Sequence, residues 1–582
     1  MARRLNVAVA ATAAVALGLT GCSSPSSNNN GSGNNADTGK ITKQENAFDP
    51  SAKGPAPEVP GAHKGGTLQV VAQSTPNTFD PTDIYYVDSN EIGKLLFRTP
   101  TQFDIRNGKP TLVPDLTDLG TASSDKLTWT FKMQPGIKYE DGTPIKVEDL
   151  AYAVKRSFAH DVYANGPTYQ LTYFKDGDKY KGPYKSGDNY SGVETKGTDT
   201  LIIHLAKPFS DLPFFMTFPM FTPIPKAKDT KQEYKNHPLA TGPYMFKSYV
   251  AGTSLNLVKN PNWDANTDPA RHQYLDGYDF AWGAESVKAQ TAVLNSNNPK
   301  DANTINYDVL DATLIPQLNG AKKEQLVQGE SPCTIVVQMD TRKIPLEVRK
   351  AIAKAYPSDQ IWKAAGLNDY VAEPASTILP PSVPGYEKYE PLPDLTGRGT
   401  GDPAGAKAML QAAGKLGFEV SWYYDNTKPI SQQTSQIRAD ALTKAGFKAK
   451  PIGVATADLR TKTGDYNAPV NLGQSPAGWC SDWPSGGSWF PVLFQSHSVT
   501  DGQSWGMLND PALDKEITDV ANLPADQATP KWTELDKKIM GMYVAIPRYY
   551  DKMAILKGSN VGTTAGDPTM GMPLLASMFL KS

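Results

Sequence analysis

The chain has 582 residues, with 58 Lys+Arg against 60 Asp+Glu and 39% apolar residues. At roughly 150 residues per domain this is about three or four domains' worth of chain, and the balanced charge excludes the basic surplus that a nucleic-acid binder carries. The 48 Gly and 47 Pro mark frequent turns, and the 26 Tyr supply side chains with apolar area and a polar tip, as binding surfaces use.

Residues Met1 to Cys22 read as an export signal. Arg3 and Arg4 form a positive start, and the apolar run Val7 to Leu19 is shorter than the about 20 residues that span a bilayer. Leu19-Thr20-Gly21-Cys22 resembles the bacterial lipobox, whose Cys is acylated and becomes the mature first residue. A Ser/Asn/Gly-rich tract follows, and residues 22–64 are expected to form a flexible tether. Two or more acyl chains, at about 0.8 kcal/mol per buried methylene, would hold the protein on the outer face of the cell membrane. With Cys22 used by lipid, Cys333 and Cys480 remain; an exported chain invites one bridge between them, against the alternative of two separate buried thiols.

Past the tether, Leu68–Val71 reads as a first strand. Glu91–Phe97 reads as a short helix, and Leu127–Met133 as a half-buried strand with apolar residues at period two. Val147, Leu150, Ala151, Val154 and Phe158 make one apolar stripe of a helix. Glu148 and Asp149 lie in its first turn and Lys155 and Arg156 near its end, as the helix dipole favours. Leu201–Leu205 is a further strand, and the Pro- and Phe-rich stretch 208–225 a packed connection. Tyr244–Phe246 and Ser254–Leu257 pair around Gly252, Thr334–Met339 is a buried strand, and Val348–Tyr356 a helix. A helix opened by Asp402-Pro403, a strand Phe418–Tyr423 and a helix Ile430–Ala445 complete a strand–helix alternation that predicts α/β lobes.

One block, Trp129-Thr-Phe131 … Tyr139-Glu-Asp141-Gly142-Thr143-Pro144 … Glu148-Asp149-Leu150 … Arg156, resembles the family 5 extracellular solute-binding proteins, the oligopeptide and dipeptide components of ABC importers. Further matches follow in the family's order: Thr241-Gly242-Pro243-Tyr244, Asn260-Pro261-Asn262-Trp263, Val348-Arg349-Lys350-Ala351, Ile378-Leu379-Pro380-Pro381, Asp402-Pro403 … Ala413-Gly414, and Gly478-Trp479-Cys480-Ser481-Asp482-Trp483. The chain departs at Lys146, where the family has a hydroxyl residue capping the helix, a loss of about 1 kcal/mol.

The resemblance implies an α/β, two-lobe, periplasmic-binding-protein-like clam of type II, cluster C, with three domains. Residues 65–98, 229–332 and 551–582 would form a discontinuous domain I, 99–228 domain II and 333–550 domain III. It also implies that Cys333 and Cys480 pair, and that Asp482 accepts the α-ammonium group of a short peptide. Gly478 then allows close backbone approach, Trp479 walls the pocket, Trp483 joins the ligand-binding set, and Tyr85 and Tyr86 match a ligand-facing loop. Arg460 is a bare guess for the peptide's other end. The implied partners are a peptide and membrane permease subunits, with no cofactor, no nucleic acid and a monomeric chain. Some relatives of this kind bind nickel chelates, haem, sugars or opines, which leaves another small solute as the alternative.

An enzyme reading can be assembled from Ser123-x-x-Lys126, Ser254-x-Asn256 and Lys462-Thr463-Gly464, the set of the penicillin-recognising serine enzymes. Its context is wrong. Ser123 lies in a polar loop ahead of a strand rather than at a helix start, and Lys462 in what reads as a Gly/Asp-rich loop. The six histidines show no metal-ligand spacing, and neither a P-loop nor a G-x-G-x-x-G occurs.

Overall fold

The structure, a computed structural model, describes residue 43 and residues 46–582 except 107, 390, 391, 393, 501, 502, 564 and 565. The expected export signal and Cys22 lie outside the described residues. Residues 46–64, expected as tether, instead run along the body. The Asp49 N–H donates to Leu112 O (2.9 Å) and the Ala56 N–H to Asp268 O (3.0 Å), and the Phe48 ring sits 5.3 Å from that of Phe214. Ala47, Phe48, Ala56 and Val59 give this stretch apolar area that the preceding Ser/Asn tract lacks.

Strand Thr67–Ala72 alternates as its sequence does, with Leu68, Val70 and Ala72 buried. It pairs in parallel with Gly277–Trp282 and Thr304–Asn306, and Ser254–Lys259 and Tyr244–Val250 extend the sheet antiparallel to five strands. A second sheet holds Thr121–Ala122, Thr128–Lys132, Thr200–His204 and Val193–Lys196, all antiparallel. These two sheets and their helices make the N-terminal lobe. A third sheet, ordered Ala372–Pro374, Ala545–Leu556, Leu326–Gln338, Gly478–Cys480, is antiparallel throughout. It centres the C-terminal lobe, beside a parallel pair, Glu419–Asp425 and Lys448–Val454, bridged by the helix Pro429–Lys444. The fold is α/β and two-lobed.

Strands Leu326–Gln338 and Ala545–Leu556 are the mechanical link. At one end Val327, Met553 and Ile555 pack with Leu68, Val70 and Phe280; at the other Val336, Val337 and Ile546 pack with Val348, Trp489 and Ile539. Both strands run unbroken through the boundaries drawn at 332/333 and 550/551. The expected strand Thr334–Met339 is thus only the apolar end of a longer one. Gln328, Gly329, Glu330 and Pro332 interrupt the alternation, and the ladder absorbs Pro332, which has no N–H, in a bulge between Glu330 and Thr334.

The first helix begins a turn earlier than expected, at Val87, because buried Ser89 and Asn90 hide its period. At the Val147–Arg156 helix the missing hydroxyl cap is replaced from within: the Asp149 carboxylate accepts the Lys146 N–H (3.1 Å) and the Tyr139 hydroxyl (3.0 Å). Arg156 does more than face the dipole. It is fully buried and grips both oxygens of Asp80 (2.6 and 2.7 Å), with Asp229 at 3.2 Å. Its guanidinium therefore fixes the loop that follows the first strand.

Candidate functional site

That loop carries Tyr85 and Tyr86. The Asp80–Arg156 pair and the Asp83 carboxylate, which accepts the Asn165 N–H at 2.8 Å, pin it to the N-terminal lobe. Tyr86 is half-buried and stands at the start of the Val87–Leu96 helix in extended conformation. Tyr85 is buried and directs its hydroxyl out of its own lobe, to Asp482 Oδ2 at 2.9 Å.

Asp482 follows the short strand Gly478–Cys480, which pairs with the link strand in the register Cys333↔Cys480, Thr334↔Trp479, Ile335↔Gly478. Cys333 and Cys480 are joined in a disulfide, and the Ser481 N–H donates to Pro332 O at 2.8 Å. These ties seat Asp482, 3% exposed, at the face that meets the N-terminal lobe. A second hydroxyl from that lobe, Tyr169, also donates to Asp482 Oδ2. Burial and the Asp482 carboxylate raise the Tyr169 phenol well above its ordinary range, so it stays a protonated donor. Its short helix is held by Gln170, whose amide reaches Ser157 O (2.8 Å) and Pro167 O (3.0 Å).

Trp483 crosses further. Its backbone belongs to the C-terminal lobe, but its ring packs among Tyr169 (4.7 Å), Phe209 (5.7 Å), Phe215 (6.1 Å) and Phe218 (6.5 Å) of the other lobe. It is 1% exposed, and its indole N–H donates to Asp211 Oδ2 at 2.7 Å. Burial raises the Asp211 carboxyl, and the bonds from Trp483 and Ser485 partly offset the rise. Trp479 stays in its own lobe's core, with its indole N–H on Ser488 O (2.9 Å). Gly478 permits a close approach to Ile335: a Cβ there would stand 2.5 Å from Ile335 Cδ1.

The structure thus brings Tyr85, Asp482 and Trp483 together at the junction of the lobes, with Tyr86 beside them and Gly478 and Trp479 behind. Sequence reasoning missed Tyr169 and Asp211. Both lie in aromatic-rich stretches without local periodicity, and their partners are 313 and 272 residues away. Arg460 lies on the helix Thr456–Gly464.

The serine-enzyme set does not assemble. Ser123 Oγ donates to Asp125 (2.6 Å) while Lys126 Nζ reaches away to Asn522 O. Ser254 starts a strand of the five-stranded sheet, and Lys462 is in the last turn of the Thr456–Gly464 helix, not in a loop. Among the described residues no group of three or more His, Cys, Asp or Glu could hold a metal ion, and no helix is long and apolar enough to cross a membrane.

Residues 111–500, more than half of the chain, match the profile of the bacterial extracellular solute-binding proteins, family 5 Middle. The glutathione-binding protein of Shigella flexneri is 25% identical over 472 residues, covering 76% of this chain and 83% of the relative. Two solved structures share the fold. The clavulanic acid biosynthesis oligopeptide binding protein 2 superposes with a TM-score of 0.79 at 24% identity, covering 91% of this chain and 99% of its own. The murein tripeptide binding protein of Escherichia coli gives 0.65 at 19% identity, covering 89% and 99%. The chain belongs to the family 5 bacterial extracellular solute-binding proteins, which are binding components of ABC importers and act outside the cytoplasm, not as enzymes.

Proposed function

We propose that the protein captures short peptides with a free N-terminus between its lobes and hands them to a membrane permease. The observation that carries this is the Asp482 carboxylate, 3% exposed at the lobe junction and bonded by two neutral hydroxyls, Tyr85 and Tyr169. A peptide's invariant features are its backbone and its termini. Strand-like segments can meet the backbone without reading side chains. An α-ammonium group needs a carboxylate, because an unpaired buried charge costs several kcal/mol. Asp482 supplies that charge, and the tyrosine hydroxyls orient it. Tyr86, Gly478 and Trp479 support the seat, and Trp483 holds the lobes together next to it. The kinship with glutathione- and oligopeptide-binding proteins supports the same ligand class. In this reading Cys22 carries the lipid that tethers a monomer to the membrane, and ATP hydrolysis belongs to the permease's partners.

The test is mass spectrometry of ligand released from natively purified protein, followed by calorimetry with free and N-acetylated peptides. Short peptides in the eluate, with binding lost on acetylation, are expected. Asp482→Ala should weaken free peptides by about 2–5 kcal/mol. An eluate of chelate, haem, sugar or opine, with equal binding of free and acetylated peptides, would replace peptides by another solute on the same scaffold.

A further inference from the structure

Several other buried ionisable groups have internal partners, and Glu330, whose Oε2 also lacks a hydrogen bond, has the Lys552 charge to offset its burial. Asp536 accepts the Ile378 and Leu379 N–H groups and the Tyr389 hydroxyl. Glu91 and Asp567 share Lys94, and Asp115 and Asp268 share Arg98 and Arg271. Asp551 differs. Among the described residues its carboxylate accepts no hydrogen bond and meets no cation, although it lies on the link strand Ala545–Leu556 between the lobes. It is half-buried, so solvent or a ligand reaches it, and burial alone pushes its carboxyl up to about 7. The basic residues nearest in sequence are turned elsewhere. Arg548 lies over the Tyr549 ring at 5.6 Å, and Lys552 is in register with Glu330 on the opposite face.

The register shows what Asp551 faces. It pairs with Ala372 on one side and stands across from the bulge 331–333 on the other, since Glu330 pairs with Lys552 and Thr334 with Tyr550. Residues directly opposite in an antiparallel ladder share a face, and successive residues alternate. Thr334 and Tyr550 therefore share one face, and Cys333 and Asp551 the other. Cys480 is on the Asp551 face through its register with Cys333, and Asp482 lies two residues further along. This face looks at the N-terminal lobe: Met553, two residues past Asp551, packs in that lobe's core, and Asp482 takes its tyrosine hydroxyls from that lobe. Two strand spacings and a two-residue rise put the Asp551 and Asp482 Cα atoms roughly 12 Å apart.

We propose that Asp551 is a second cation-binding carboxylate of the cleft, and that it takes the ammonium or guanidinium group of a basic side chain on the first or second residue of the peptide whose N-terminus Asp482 holds. The proposal rests on the peptide reading of Asp482 and narrows it to basic peptides. The register puts both residues on the face that meets the N-terminal lobe, with Cα atoms that far apart. A Lys or Arg stem on a backbone that advances about 3.4 Å per residue spans what remains. The cation would supply the partner that the fold withholds, since a desolvated carboxylate is costly until it is paired.

The experiment is calorimetry on the mature protein with tripeptides that differ only in Lys or norleucine at position one or two, each free and N-acetylated. The wild type is expected to bind a free Lys peptide at least about tenfold more tightly than its norleucine twin. Asp551→Asn should erase that preference and leave the norleucine peptide's affinity unchanged, and Asp551→Glu should retain the preference. Free peptides that bind and are lost on acetylation, with no Lys preference or with one that survives Asp551→Asn, overturn the role of Asp551 alone. Binding of neither free peptide overturns the peptide reading with it. If Asp551→Asn folds poorly, a wild type without a Lys preference still overturns the role, and Asp551→Ser, read by the same Lys and norleucine pair, replaces the Asn variant.

Discussion

Trp483 gives the sharpest test of how the lobes communicate. Its ring is 1% exposed, packed among Tyr169, Phe209, Phe215 and Phe218 of the opposing lobe, with its indole N–H on Asp211. Truncating a fully buried aromatic residue costs about 3–5 kcal/mol. In an ordinary core that loss falls on folding. Here the ring and its socket are on different lobes, so the loss falls on their contact. Lobe equilibria of this kind differ by only a few kcal/mol, and about 1.4 kcal/mol is a factor of ten. Trp483→Ala should therefore shift the balance toward the open form by roughly a hundredfold or more. The apparent affinity of a ligand that selects the closed form falls by the closed fraction that is lost. Asp211→Ala, which leaves the indole N–H without its acceptor, should do the same at about 1–3 kcal/mol. Small-angle scattering of ligand-free and ligand-saturated protein reads the shape, and calorimetry reads the affinity. The expected result is a larger radius of gyration and weaker binding in both variants, with the melting temperature little changed. A variant that melts well below the wild type but keeps its scattering and affinity would refute the argument, because Trp483 would then be core for one lobe and not a clasp between two.

Three further outcomes follow from local chemistry. The Cys333–Cys480 bridge closes a sequence separation of 147 residues, which the chain-entropy treatment values at about 5 kcal/mol. Thiol titration of the unfolded mature protein should find no free cysteine before reduction and two after, with a lower melting temperature in reductant; equal counts would reject the bridge. Gly478→Ala forces a Cβ to 2.5 Å from Ile335 Cδ1 and 3.0 Å from Thr334 O, so it should lower stability by about 1–3 kcal/mol in a denaturant titration, and an unchanged midpoint would contradict the ladder at Asp482. Glu91 is buried beside Lys94 and Asp567, and desolvation lifts its carboxyl from 4.5 to about 7. The folded state then holds a proton that the unfolded chain releases, so stability falls as pH rises through that interval. The loss is up to about 3 kcal/mol between pH 5 and pH 8. Glu91→Gln should flatten that slope, and an identical slope in the variant would remove Glu91 as its source.

How much of this was legible in the sequence depends on where each residue's partner lies. Leu68, Val70 and Ala72 show their strand because the period of a ladder is written in consecutive residues, and the stripe through Val147, Leu150 and Val154 shows its helix for the same reason. Asp482 entered as a candidate through a family segment, not through any period. Val327 to Pro332 were not legible as strand: Gln328, Gly329 and Pro332 disfavour it locally, and the partner strand Ala545–Leu556 imposes it from more than two hundred residues away. The same holds more strongly at the site. Trp483 beside a carboxylate reads as a ligand-binding residue, and the Asp211 acceptor and the aromatic socket identify it as a contact between lobes. Tyr169 and Asp211 carry no local signal because each meets a surface belonging to the other lobe. Asp551 follows the same logic in reverse. The sequence reading passed over its strand, and what marks it is that no described residue partners it where the two lobes meet.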